Sequence, residues 1–155
     1  MELRGRSKNG FTLIELVAII VLLSILSVAA LSRLGGLGDF EKRGYFEDVV
    51  NALRYAQKLA VATGCNVQVT ITASSYRLRQ GDSCTSTTYN RNVLNPANRS
   101  VAYESLTPPD GLSISPAASF VFTPQYTTDL GIDTTFSIGG YQFTVFKDTG
   151  LVDVI

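Results

Sequence analysis

Twenty-two residues from Phe11 to Ser32 carry a single charge, Glu15, and are otherwise almost wholly apolar. At about 1.5 Å rise per residue, a helix of that length reaches roughly 33 Å, enough to cross the hydrocarbon core of a bilayer. A charge inside such a span costs on the order of 2.5–3.5 kcal/mol even on insertion-derived scales, so Glu15 demands a role. With 155 residues in all, one modest domain beyond this hydrophobic arm is what remains to be folded.

Three readings of residues 1–32 compete. An ordinary secretory signal would use the basic start, the apolar run and Ser27-Val28-Ala29-Ala30 as its small-residue cleavage site. Against it, the run exceeds the usual roughly 7–15 residues and contains an acid. A plain membrane anchor leaves Glu15 unexplained. The third reading starts from Gly10-Phe11-Thr12-Leu13-Ile14-Glu15. Those residues closely resemble the processing site of type IV pilins and type II secretion pseudopilins, and this reading accounts for the glycine, the Phe, the acid and the apolar length together.

The resemblance implies that a prepilin peptidase cuts after Gly10, removing residues 1–10 as a leader. It implies that the new amino terminus on Phe11 is methylated and that Glu15 guides subunit packing. Residues 11–34 would then be the transmembrane and assembly helix, and residues 35–155 a periplasmic head. The protein would reside as a single-pass subunit in a bacterial inner membrane. It would then pass through an inner-membrane assembly platform into a pilus fibre at the cell surface, touching other pilins through the N-terminal helix.

Charge and composition narrow the remaining classes. The chain has 13 basic and 13 acidic residues, and loss of Arg4, Arg6, Lys8 and Glu2 with the leader leaves 10 and 12. A net charge of −2 gives no electrostatic reason to expect nucleic acid as the main partner. The absence of histidine removes the commonest metal ligand and general base. Cys65 and Cys84 cannot by themselves build a tetrahedral thiolate site, and in an exported chain they read as one disulfide.

Past Arg33, Gly35-Gly36-Leu37-Gly38 either bends the long helix or serves as a plain linker. A helical period then resumes over Asp39–Ala62, with Phe46, Val49, Val50, Leu53 and Ala60 on one face, Asp39 as cap and Gly64 as stop. The period changes to two at Val67, Val69 and Ile71, and Tyr76–Arg79 is the hairpin partner across residues 73–75. That hairpin brings Cys65 and Cys84 together at its open end, which supports a structural bond over a reactive thiol. Arg77 and Arg79 share one strand face, expected to be solvated. Residues 81–98 read as a long polar surface loop.

Short strands are expected over Val101–Leu106, Leu112–Ile114 and Phe120–Phe122, the last ended by Thr123-Pro124. Thr134–Ile138, Gly139-Gly140 and Tyr141–Phe146 spell a tight hairpin, followed through Asp148-Thr149-Gly150 by a final strand, Leu151–Val154. The fold class is therefore α+β and pilin-like: a long hydrophobic N-terminal helix continuing into a head with one helix against an antiparallel sheet. Phe122-Thr123-Pro124 and the run Phe143–Val152 also resemble the ends of H-type minor pseudopilins, fimbrial T-type minor pilins and minor pilins of the mannose-sensitive haemagglutinin type. Gln125 and Leu151 stand where those relatives carry Gly and Arg.

No catalytic constellation emerges. A hydrolytic Ser or Cys would need a Lys or carboxylate base, and no motif gathers them. The glycines after the apolar run follow no strand, so they make no phosphate loop. Asp129, Asp133 and Asp148 match no calcium loop and are expected to be solvated. Neither a cofactor nor a metal is expected, and the chain reads as the substrate of a peptidase and not as an enzyme. A minor pilin or pseudopilin that joins a fibre, or helps initiate one, is the first function. The alternative is a tip-located DNA- or surface-binding pilin, for which Arg77, Arg79, Arg91 and Arg99 would have to cluster.

Overall fold

The computed structural model describes residues 12–31, 37–109 and 111–155. The chain divides into two units, residues 1–38 and 39–155. The expected leader, Phe11, and the bend or linker at Gly35-Gly36 lie outside the described residues.

In the first unit, helix α1 spans Leu13–Leu31. Side chains from Thr12 to Ser27 are exposed on every face, Leu13 at 80% and Leu26 at 64%. A helix that is apolar all round has no solvated face, so its stable surroundings are lipid or other helices. Ser24 and Ser27 satisfy their hydroxyls internally, donating to the carbonyls of Ile20 and Leu23 at 2.8 and 2.7 Å. Among the described residues, no helix is long and apolar enough to cross a membrane.

Helix α2 spans Leu37–Thr63. It starts two residues earlier than expected, so Asp39 is not the cap. Asp39 lies within the first turn instead, where its charge suits the helix dipole and accepts from Lys42 Nζ at 3.1 Å. Gly38 is tolerated there because one helical glycine costs only about 1 kcal/mol. Gly64, at φ 68°, ends the helix as expected. Phe46, Val49, Val50, Leu53 and Ala60 are all buried, joined by Tyr45 and Ala56 on the same face.

The strands after it are β1 Val67–Thr72, β2 Ser75–Gln80, β3 Arg91–Asn92, β4 Leu94–Asn95, β5 Asn98–Ala102, β6 Glu104–Ser105, β7 Ile114–Ser115, β8 Ala118–Phe122, β9 Thr134–Ile138, β10 Tyr141–Val145 and β11 Val152–Val154. They form two main antiparallel sheets and a ribbon, which corrects the expectation of one sheet. The first sheet runs β3-β2-β1-β8 with β6 also paired to β2, the second runs β11-β10-β9-β7, and β4-β5 is the ribbon. The chain changes sheets between Ser115 and Ala118, so β7 joins the second sheet while β8 returns to the first. Residues 81–90 form no strand, as expected of a loop, whereas 91–98 contribute β3, β4 and the first residue of β5. Strands β3 and β4 are only two residues long and carry no alternation to read.

One apolar core lies under both sheets and α2. Phe120 of β8 stands 6.2 Å from Phe136 of β9, which stacks on Phe143 of β10 at 5.1 Å. Phe143 in turn reaches Phe46 of α2 at 5.9 Å. The β9–β10 turn needs Gly139 and Gly140 at φ 58° and 96°, a left-handed pair that glycine adopts without steric cost.

Candidate functional site

Glu15 sits in the first turn of α1. Thr12 caps that turn: its Oγ1 and carbonyl accept from the Glu15 N–H at 3.3 and 3.1 Å, and the carbonyl also accepts from Leu16 N–H at 3.2 Å. Thr12-Leu13-Ile14-Glu15 thus has capping-box spacing, a signal legible in the sequence beside the charge of Glu15. The Glu15 carboxylate makes no hydrogen bond or ion pair among the described residues. It is an exposed acid at the start of an apolar surface. Gly10 and Phe11, expected as the cleavage and methylation site, lie outside the described residues.

Cys65 and Cys84 are joined, with Cα atoms 4.4 Å apart across a sequence separation of 19. The register explains why: Val67 pairs with Gln80 at the open end of the β1–β2 hairpin, so the flanking cysteines arrive together. Closing a loop of that length restricts the unfolded chain by about 3 kcal/mol on the chain-entropy estimate. The Cys65→Ser, Cys84→Ser double variant is expected to lose about that much stability in urea denaturation. A loss below about 1 kcal/mol would show that the bond adds little to what the hairpin already holds.

The four arginines do not converge. Arg77 and Arg79, expected on a solvated face, both reach Glu104 of β6, at 3.8 and 3.1 Å. Strand β6 pairs edge-to-edge with β2 through Tyr76↔Ser105 and Arg77↔Glu104, which sets the Glu104 carboxylate beside Arg77 on that same face. Arg91 pairs with Gln80 in register and so shares the opposite face of the sheet. Arg91 and Arg99 instead line one cleft. Two of the three loop aspartates are also more than solvated: Asp129 accepts from Val121 N–H at 2.6 Å, and Asp133 from Lys147 N–H at 2.9 Å. They cap backbone donors that the strands leave over.

Residues of the C-terminal motif are architectural. Phe122, Phe143 and Val145 are core, and Gly150 turns the chain at φ 58° while donating to Phe146 O at 2.8 Å. Arg54 and Gln57 of α2 then clamp this end, Arg54 Nε and Nη2 donating to Val152 O at 3.2 and 3.1 Å and Gln57 Nε2 to Thr149 O at 3.0 Å. Further along the helix, Tyr76 Oη donates to the Asp48 carboxylate. Burial pushes the Tyr76 and Tyr103 phenols above the ordinary range, and the Asp48 charge adds to it. A phenol held protonated in this way is a hydrogen-bond donor and a poor base. Among the described residues, no group of three or more metal-ligating side chains gathers.

Residues 5–31 match the prokaryotic N-terminal methylation motif. No curated protein matches the sequence. The fold is similar to that of the type IV minor pilin FimU of Pseudomonas aeruginosa in two crystal forms. In one, at space group P21, the TM-score is 0.55 at 15% identity, covering 76% of this chain and 90% of the other. In the second, at P65, it is 0.51 at 15% identity, covering 73% and 91%. The chain thus carries the N-terminal methylation motif at one end, and its fold is similar to that of a type IV minor pilin.

Proposed function

We propose that this chain is a structural, non-enzymatic minor pilin subunit that is cut by a prepilin peptidase between Gly10 and Phe11, methylated on the Phe11 amine and incorporated into a pilus. The observation that carries this is α1: apolar side chains exposed on every face, one acid in its first turn, and the methylation motif spanning the same residues. Before assembly, residues 11–34 rest in the inner membrane and residues 35–155 form the head on its periplasmic side. The assembly platform then draws the arm from lipid into a bundle of other pilins' arms. At about 25 cal/mol per Å² of apolar surface, water is not a tolerable stopping place for that arm. Lipid is as apolar as the bundle, so packing and specific polar pairs select the final position.

The test is the mature N-terminus. Glycine before the cut leaves the backbone open to the peptidase at the membrane face, and a β-branched side chain crowds it. Gly10→Val is expected to leave full-length precursor in the inner membrane, whereas mass spectrometry of the wild type finds a chain starting at methylated Phe11. A chain starting at Leu31 would establish ordinary secretory cleavage instead.

A further inference from the structure

We infer that the cleft between the last turns of α2 and the β3–β4–β5 segment is a binding site for a small carboxylate carried on an apolar ring or chain. The site stands apart from the assembly role of α1 and does not depend on it. The cleft has a volume of about 370 Å³, within the range of small-molecule sites. Tyr55, Leu59, Val93 and Leu94 give it apolar walls, and Arg91 and Arg99 supply its charge. No acidic residue lines it. Neither arginine is paired with a carboxylate among the described residues, whereas Arg77 and Arg79 on the other face of the sheet share Glu104.

The cationic wall is also held in place from behind. Thr63 Oγ1 donates to Leu59 O at 2.7 Å and accepts from Gln80 Nε2 at 3.3 Å. Gln80 Oε1 then accepts from Arg91 Nη2 at 3.0 Å. Gln80 is only 6% exposed and sits on the face of β2 that otherwise buries Tyr76 and Leu78. An amide buried there is disfavoured unless both of its ends are bonded, and here one end is anchored on Thr63 while the other holds the Arg91 guanidinium. One of the five N–H donors of Arg91 is used, so a planar fork is left to meet a carboxylate. The apolar walls select the rest of the ligand: a strongly hydrated dianion would lose its water against Leu59 and Val93, while an aryl or alkyl carboxylate places only its head between the arginines.

The probe is naphthoate, with uncharged naphthamide as the matched control, titrated into the full-length protein in non-ionic detergent and followed by saturation-transfer NMR and calorimetry. Naphthoate is expected to bind saturably, at least tenfold more tightly than naphthamide and with affinity falling as salt rises. The Arg91→Gln, Arg99→Gln double variant is expected to lose at least tenfold in naphthoate affinity while keeping its near-ultraviolet circular dichroism. Arg99→Gln alone, a change on the exposed strand β5, is the second variant and is expected to lose at least threefold. Equal affinity for naphthoate and naphthamide, unchanged naphthoate affinity in both variants, or no saturable naphthoate binding would each overturn the assignment.

Discussion

Glu15→Ala will insert and be cut like the wild type but will be depleted at least tenfold from sheared fibres. Cutting after Gly10 would create a cationic amine on Phe11, four residues before the carboxylate, and a methylated amine still carries charge. An unpaired carboxylate in an apolar bundle is costly, and a partner amine from its own or a neighbouring subunit lowers that cost. Along a bundle with no other charge, this pairing would set one axial register. A tenfold depletion corresponds to about 1.4 kcal/mol, well within what an unpaired buried charge costs. The start of α1 does not confound the test, because Thr12 caps the backbone N–H of Glu15 and not its carboxylate. Alanine keeps that N–H. Processing is compared by gel shift and incorporation by probing sheared fibres. Glu15→Gln, which keeps the shape and loses the charge, should follow Glu15→Ala; wild-type levels of either in fibres would remove Glu15 from assembly.

The second large effect is expected at Phe136. Its ring is fully buried between Phe120 of the first sheet and Phe143 of the second, and Phe143 carries the contact on to Phe46 of α2. Phe136→Ala removes the ring that joins the two sheets, and neighbours held in register by β9–β10 pairing cannot collapse into the space. Truncations of this kind cost about 3–5 kcal/mol. With a urea slope of about 1–3 kcal/mol per molar, the midpoint should fall by roughly 2 M. Phe136→Leu, which fills most of the volume, should cost less than half as much. A loss under about 1 kcal/mol for Phe136→Ala would mean the sheets are held together elsewhere.

Period carried the reading of the head where segments were long. Val67, Val69 and Ile71 alternate over a full strand, and Gly139-Gly140 demands a left-handed turn, so both hairpins were legible. The buried face of α2 followed from three- and four-residue steps, because a helix that packs on one side must repeat that way. The cysteine pairing followed once the β1–β2 hairpin was placed, since hairpin register brings its flanks together. The two-residue strands β3 and β4, and the division of the expected Val101–Leu106 strand between β5 and β6, escaped because pairings this short have no period to detect. Their existence rests on pairing with distant backbone, as Glu104 opposite Arg77 shows.

By itself, then, the sequence determined the apolar arm with its one acid, the helix and hairpins of the head, and the crosslink between Cys65 and Cys84. These depend on local spacing and on side-chain polarity, which the chain carries wherever it goes. Only the tertiary structure decided that the strands divide into two sheets. It also decided that Arg77 and Arg79 share the single carboxylate of Glu104, and that Arg91, bonded to Gln80, lines a cleft with Arg99. Those outcomes depend on which residues meet across tens of positions. Hydrophobic burial drives that meeting without naming the partners, and backbone pairing then selects them.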